Sequence, residues 1–300
     1  MQDLCMNENI SIVIPTRNRA DLLARAVSSA LKNCPSTGEI IVVDDKSIVP
    51  SSEALSHIRD SRLRIVRNSQ PQSGASISRN LGVAHARNEI VFFLDDDDVF
   101  VDGYIDLVLG CTEFRLAAYG FGNMVQNNPF AARVRPFRLA DRKGRLRRTL
   151  GGAGAGFWVR RDIFLEAGGF DPAHTVDEDT DLCVRLGIAG HSCLIYMGQA
   201  TVTVLDESLR PRNYEKLTDN QKSKASLDCY RRTFEKAYPS ITNDPDALWY
   251  LSARYVRRAL RSNLPEEARS FCLSQQDLML RALLLPFFYV KFFYYGLKYR

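Results

Sequence analysis

Two apolar runs in the first hundred residues end in carboxylates. Ile40-Ile41-Val42-Val43 passes into Asp44-Asp45, and Val91-Phe92-Phe93-Leu94 into Asp95-Asp96-Asp97-Asp98. Runs of about four to six β-branched and aromatic residues suit a strand covered on both faces and are short for a buried helix. Adjacent carboxylates cannot follow such a strand into a core, so each run must stop at an end of the sheet that meets water or a cation. The sequence between them supplies the other elements. Ile10–Ile14, ended by Pro15, reads as a first strand, Glu39–Val43 as a second, Leu63–Val66 as a third and Ile90–Leu94 as a fourth. Ala20–Leu31 sets Leu22, Leu23, Ala26, Val27, Ala30 and Leu31 on one helical face, with Asp21 in its first turn. A short helix near Ser52–Arg59 and a longer one at Ser76–Ala86 complete the alternation. Strand and helix in turn specify an α/β fold with a mostly parallel sheet flanked by helices and joined by right-handed crossovers. Ligands of such sheets bind beyond the carboxyl ends of the strands, where both aspartate clusters fall.

The pattern loosens after residue 102. Asp102–Glu113 reads as helix, Ala117–Gly122 and Phe157–Arg160 as strands, Arg161–Ala167 and Asp177–Ile188 as helices, and Cys193–Tyr196 and Thr201–Val204 as late strands. Glycines 152, 154 and 156 imitate a dinucleotide fingerprint, but no strand precedes them and a strand follows, so they read as a compliant loop. From Asp206 onward only helical patterning remains, with breaks at Pro239, Pro245 and Pro265. The expected organisation is one domain over 1–205 and a helical region over 206–300.

Composition narrows the class. The hydrophobic share of 45% and charged share of 25% exclude wholesale disorder and fibrous repeats. The net charge of +5 hides an asymmetry: residues 1–130 hold 12 basic and 16 acidic groups, and the rest 28 and 19. Arg133–Arg148 alone has eight basic residues against one acidic, which suits either steering of a phosphate-bearing acceptor or a solvated hairpin. The seven cysteines are scattered, without a Cys-x-x-Cys pair, as expected of reduced thiols in a cytoplasmic protein. Met1–Asn9 carries Asp3 and Glu8 and no apolar core, so no signal peptide is expected. The four histidines make no cluster, and only His174 lies near a motif.

Four consecutive carboxylates at a buried strand's end repel one another and lose hydration, which calls for a cation. A divalent ion that prefers oxygen, Mg²⁺ or Mn²⁺, meets that need. Capping of the next helix is the competing explanation, but a cap needs one carboxylate and not four.

The motifs in order then carry a resemblance. Ile12-Val13-Ile14-Pro15-Thr16-Arg17-Asn18-Arg19, Ile41-Val42-Val43-Asp44-Asp45-Lys46-Ser47, Gly74 with Ser78-Arg79-Asn80, and Phe93-Leu94-Asp95-Asp96-Asp97-Asp98 resemble the family 2 glycosyltransferases. Gly168-Gly169-Phe170-Asp171 and Glu178-Asp179-Thr180-Asp181-Leu182 with Arg185 resemble that family's acceptor-side motif. The likeness covers about residues 10–205. It implies the GT-A nucleotide-diphospho-sugar transferase fold and an inverting, metal-dependent transfer of a sugar from a nucleotide-diphospho-sugar, UDP-linked, to a hydroxyl of a growing glycan. A bacterial surface polysaccharide or lipopolysaccharide is the implied context, with a glycan or lipid-linked glycan acceptor and no nucleic acid.

Carried over residue by residue, the resemblance puts Pro15, Thr16 and Arg19 along the nucleoside. Asp45, with Asp44 beside it, accepts from the base, for which uracil or thymine N3–H is the natural donor because a carboxylate only accepts. Asp44 also fits a structural turn residue. Arg79 suits ribose or diphosphate, or else a surface ion pair. Asp95 contacts the ribose side and Asp97 ligates Mn²⁺ or Mg²⁺, with Asp96 a further donor-side residue and one of the four an anchor for the others. Asp179 is the general base, with Glu178 and Asp181 its near competitors and Gly169 a supporting acceptor-side position.

The C-terminus offers a last feature. Ala282–Val290 is apolar, and Phe292-Phe293-Tyr294-Tyr295 follow Lys291. A span of about 20 residues would have to include Arg281 and Lys291, which makes a transmembrane helix a poor fit. Aromatics mixed with cations suit a headgroup region, so tail 282–300 is expected at the inner face of the membrane; docking on the preceding helices and a dimer contact are the alternatives. Two competing functions, a nucleotidyltransferase and a non-catalytic binding protein, are disfavoured by the lack of a glycine-rich loop after the first strand and by intact Asp97 and Asp179.

Overall fold

The computed structural model of the chain describes residues 9–123, 137–140, 155–203 and 224–298. The first alternation yields β1 (Ile10–Thr16), α1 (Ala20–Asn33), β2 (Glu39–Asp44), α2 (Ser51–Ala54), β3 (Leu63–Arg67), α3 (Ala75–His85) and β4 (Ile90–Phe93). There follow β5 (Asp98–Phe100), α4 (Tyr104–Leu109), β6 (Tyr119–Asn123), β7 (Phe137–Ala140), β8 (Ala155–Arg160) and α5 (Arg161–Glu166). After these come α6 (Glu178–Ile188), β9 (Cys193–Gln199) and β10 (Thr201–Thr203). The chain continues as α7 (Lys224–Ile241), α8 (Pro245–Arg261), α9 (Pro265–Ser274) and α10 (Leu278–Lys298).

Eight strands join in the order β3-β2-β1-β4-β8-β6-β9-β7, and β5 pairs with β10 in a separate ribbon. The β3–β4 portion is parallel throughout. Beyond β4 the sheet is mixed: β8 opposes β4 and β6, β9 follows β6, and β7 opposes β9. An apolar run fixes burial but not direction, so the parallel reading holds for the half whose crossover helices are visible in the sequence.

The period of two divides the core. Ile10, Ile12 and Ile14 share one face with Ile40, Val42, Ile90 and Phe92, under Leu23, Ala26, Val27 and Ala30 of α1. Val13, Ile41, Val43, Val91 and Phe93 face the other way, against Val83 of α3 and Leu182, Cys183 and Leu186 of α6. The helices from α7 onward build a core of their own, which Val184 of α6 joins. The boundary expected near 205 and most of Arg133–Arg148 lie outside the described residues. Within that basic stretch, Phe137–Ala140 is the edge strand β7. Gly156 stands inside β8 rather than in a loop, at φ +61°, and its carbonyl accepts from Tyr104 Oη at 2.8 Å.

Pro245 and Pro265 open α8 and α9, where a missing N–H costs nothing. Pro239, expected as a break, lies two residues before the end of α7 at Ile241 and is carried within the helix. Helix α10 runs unbroken through Pro286 and is long and apolar enough to cross a membrane. Leu280, Leu284, Phe288 and Tyr295 nevertheless bury one face of it in the helical core, and Trp249 meets Phe287 edge-on at 5.5 Å. One face of the tail is therefore docked on the preceding helices, while Leu283, Val290, Phe293 and Tyr294 remain exposed.

Candidate active site

A tight turn after β4, closed by the Asp98 amide on the Asp95 carbonyl at 3.1 Å, sorts the aspartates. At the end of β4, Asp95 is exposed and Asp97 partly exposed, whereas Asp96 and Asp98 turn inward. Asp96 accepts from Thr16 Oγ1 at 2.8 Å and from Arg19 at 2.6 Å. Burial outweighs both partners and pushes its carboxyl up to about 6. Asp98 accepts from Thr201 Oγ1 at 3.1 Å, at the ribbon between β5 and β10. The loop after β1 is thereby tied to the end of β4, and Arg19 also lies 3.6 Å from Asp97.

The pair after β2 is buried, and its two members have different partners. Both Asp44 oxygens accept backbone amides, from Ser47 at 2.7 Å and Ser51 at 2.8 Å, which closes the turn into α2. Burial alone would raise that carboxyl, but these amides and Arg67 hold it below its ordinary range. Asp45 accepts from Asn68 Nδ2 and from the Gly74 amide, each at 2.8 Å. A carboxylate offers about four lone-pair sites, so Asp45 retains acceptor capacity. Asn68 was not a sequence candidate, although its place just beyond β3 is where the strand-end rule would look.

Arg79 on α3 joins the two halves of the site. One end donates to Asp95 at 2.6 Å and the other to Glu178 at 2.5 Å, with the guanidinium 5.7 Å from the Phe170 ring. Burial would lower its pKa, but the two carboxylates more than offset that and raise it. Phe170 is itself set in the aromatic core, 5.3 Å from Phe93 and 5.2 Å from Phe164. Its backbone is clamped on both sides by the Asn80 amide, at 2.7 and 2.9 Å. Gly169, at φ +68°, lets that clamp close: a Cβ there would stand 2.7 Å from Asn80 Oδ1.

Asp179 lies in the first turn of α6, one residue beyond Glu178. No described side chain hydrogen-bonds to it, whereas Glu178 is held by Arg79. Burial, then the charges of Glu178 and Asp177, push its carboxyl up to about 7. Two adjacent carboxyls thus have different surroundings: Glu178 is held in an ion pair with Arg79, and Asp179 is not.

The structure turns three sequence candidates inward. Asp44 serves its turn and Asp96 braces Thr16 and Arg19, as above. Asp181 is fully buried, bonded to Arg185 Nε at 2.9 Å and Lys236 at 3.0 Å. With Asp171 and His174 it forms a cluster whose geometry would suit a metal. Lys236 contacts both Asp171 and Asp181, so an ammonium already supplies the positive charge there. His174 is buried against Thr233, at 3.0 Å, and burial lowers its pKa. Asp95 and Asp97 keep oxygens directed outward beside Arg79 and Arg19, and carboxylate oxygens are the hard donors that Mn²⁺ and Mg²⁺ prefer.

A mixed α/β sheet with an aspartate-rich strand end facing an acidic helix start defines a GT-A nucleotide-sugar transferase fold. The chain belongs to glycosyl transferase family 2, whose family model matches residues 11–166. It is 25% identical over 137 residues to UDP-Glc:alpha-D-GlcNAc-diphosphoundecaprenol beta-1,3-glucosyltransferase WfgD of Escherichia coli, covering 45% of this chain and 54% of that protein. It is 31% identical over 102 residues to the GalNAc(5)-diNAcBac-PP-undecaprenol beta-1,3-glucosyltransferase of Campylobacter jejuni, covering 33% of each. The matches therefore span about half or less of these relatives' length. Among solved structures, the Pyrobaculum calidifontis mannosyltransferase PcManGT in complex with GDP-Man and Mn²⁺ superposes with a TM-score of 0.60 at 16% identity, over 96% of this chain and 86% of that one. Staphylococcus aureus TarS 1–349 in complex with UDP-GlcNAc gives 0.57 at 14% identity, over 97% and 91%.

Proposed function

We propose that this chain is an inverting glycosyltransferase that moves a sugar from a UDP-sugar to a hydroxyl of a growing, lipid-linked bacterial glycan at the inner face of the membrane. The observation that carries this reading is Arg79, which brings the strand-end aspartates and the acceptor-side motif within one guanidinium of each other. The relatives named for undecaprenol-diphosphate substrates support the acceptor class.

On this reading Asp45, held by Asn68 and Gly74, accepts N3–H of the uracil. Asp97 and Asp95 would hold Mn²⁺ or Mg²⁺, which when bound neutralises charge on the departing nucleoside diphosphate. Asp179 takes the proton of the acceptor hydroxyl as its oxygen bonds to the anomeric carbon and the bond from that carbon to the diphosphate breaks. A single displacement of this kind inverts the configuration. A carboxyl near 7 suits the task, being substantially ionised at neutral pH and still a competent proton acceptor. The exposed face of α10, with Lys291 among its aromatic rings, supports a peripheral contact with anionic lipid.

The test is transfer by the full chain, with Mn²⁺, from UDP-glucose, UDP-GlcNAc or GDP-mannose to an undecaprenol-diphosphate-linked saccharide, with the anomeric configuration read by NMR. Inverted product from a UDP donor, lost with EDTA, is expected; retained configuration or chelator-resistant transfer would refute the proposal. Co-sedimentation with anionic vesicles, weakened in Val290→Ser/Phe293→Ser, tests the membrane contact.

A further inference from the structure

The segment that carries Asp179 is held from both sides. Within the sheet domain, Arg79 fixes Glu178. The other support comes from α8, more than 70 residues further along the chain. Arg258 donates to Asp177 Oδ2, and its Nε donates to Ser226 Oγ at 3.0 Å. Ser226 in turn donates to the same Asp177 oxygen at 3.1 Å. One turn earlier on α8, Arg254 reaches Thr180 Oγ1 at 3.3 Å. Both guanidinium groups lie over Tyr230, at 5.4 and 5.5 Å, so one ring of α7 braces them together. Residues four apart on a helix share a face, and here that face grips the residues on either flank of Asp179.

The local backbone explains the need for the grip. Asp177 precedes α6 at φ +59°, a left-handed conformation that a non-glycine residue holds only when its surroundings impose it. The Arg258–Asp177 pair is largely withdrawn from solvent, with the two side chains 13% and 9% exposed. Without Arg258, the Asp177 carboxylate would stand buried and uncompensated two residues from Asp179.

We propose that Arg258 and Arg254 are positioning residues: through Asp177 and Thr180 they set the orientation of the base-bearing turn and the charge around it, which makes the C-terminal helices part of the catalytic unit. The proposal rests on Asp179 being the general base. The charged and titratable groups facing Asp179 are Glu178, Asp177 and Cys183 on its own segment and Arg254 on α8, with Arg258 and Arg79 acting through Asp177 and Glu178. Removal of Arg258 strengthens the repulsion at Asp179, keeps it protonated to higher pH and frees its turn.

The experiment compares Arg258→Met, Arg258→Lys and Asp177→Asn/Arg258→Met with the unaltered chain, reading kcat/KM against pH, donor KM and melting temperature. Arg258→Met should lose about tenfold in kcat/KM at pH 7 and shift the acidic limb upward by about one unit, with donor KM unchanged. The lysine variant should retain most of the original profile. The double variant, in which asparagine tolerates the left-handed position and no carboxylate is stranded, should return the limb to its original place. An unmoved limb in Arg258→Met, or a double variant no better than the single one, would overturn the proposal. Asp179→Asn separates the two readings. If it is inactive while Arg258→Met keeps the original profile, only the positioning role falls; if it retains full turnover, the base assignment falls and takes this inference with it.

Discussion

Raising the pH from 6 to 8 changes the charge of the group on which the proposed chemistry turns. With the Asp179 carboxyl near 7 rather than its ordinary 3.8, its ionised fraction is about a tenth at pH 6, about half at pH 7 and about nine-tenths at pH 8. A general base works only when ionised, so single-turnover transfer should rise about tenfold across this interval and then level off. A base at 3.8 would give a flat line over the same range. Asp96, near 6, braces Thr16 and Arg19, and the limb near 7 should vanish in any residual activity of Asp179→Asn. The same group has a thermodynamic signature. Its folded pKa lies above its unfolded one, so the stability it contributes is present in full below the unfolded value and is lost as pH rises to about 7. Asp179→Asn is neutral throughout and escapes that loss. Its melting temperature should gain on the unaltered chain from pH 4 to 7 and hold a constant margin above. A flat kinetic profile between pH 6 and 8, or a melting difference independent of pH, would refute the reasoning.

Asp181→Ala should cost about 1–3 kcal/mol in urea unfolding, because it removes a fully buried acceptor shared by Arg185 and Lys236, each of which keeps other partners. Gly169→Ala should cost about 1–2 kcal/mol, since alanine resists the positive φ and its methyl would force Asn80 away from Phe170. Equilibrium unfolding measures the second, and a loss below about 0.5 kcal/mol would show that the clamp gives way freely.

The front of the fold was readable because each local signal agreed with its neighbours. The apolar face of α1 is the one that packs, and four β-branched or aromatic runs became β1 to β4. What escaped was decided at long range. Strand β5 is three residues beginning with aspartate, a poor strand former, and exists because Thr201–Thr203 pairs with it. The helix expected over Ser52–Arg59 stops at Ala54, and Asp60 then binds both the amide and the guanidinium of Arg62. The motifs named Asp44 and Asp45 together, and Asp95 through Asp98 together. Which of them face outward is set by the turn that the Asp98 amide closes on the Asp95 carbonyl and by Thr16, Arg19 and Thr201, partners distant in the sequence. Arg254 and Arg258 had no local signal, since a basic face on a late helix looks the same whether it meets solvent or Asp177.

Because Arg79 divides its two ends between Asp95 and Glu178, the donor and acceptor sides of the proposed site draw on one cation. A ligand that competes for the guanidinium at Asp95 loosens its hold on Glu178, and linkage makes the effect mutual. Whatever factor the nucleotide imposes on acceptor affinity, the acceptor imposes on the nucleotide. The two half-sites then have no independent dissociation constants. A nucleotide affinity measured without acceptor describes only one corner of a thermodynamic square.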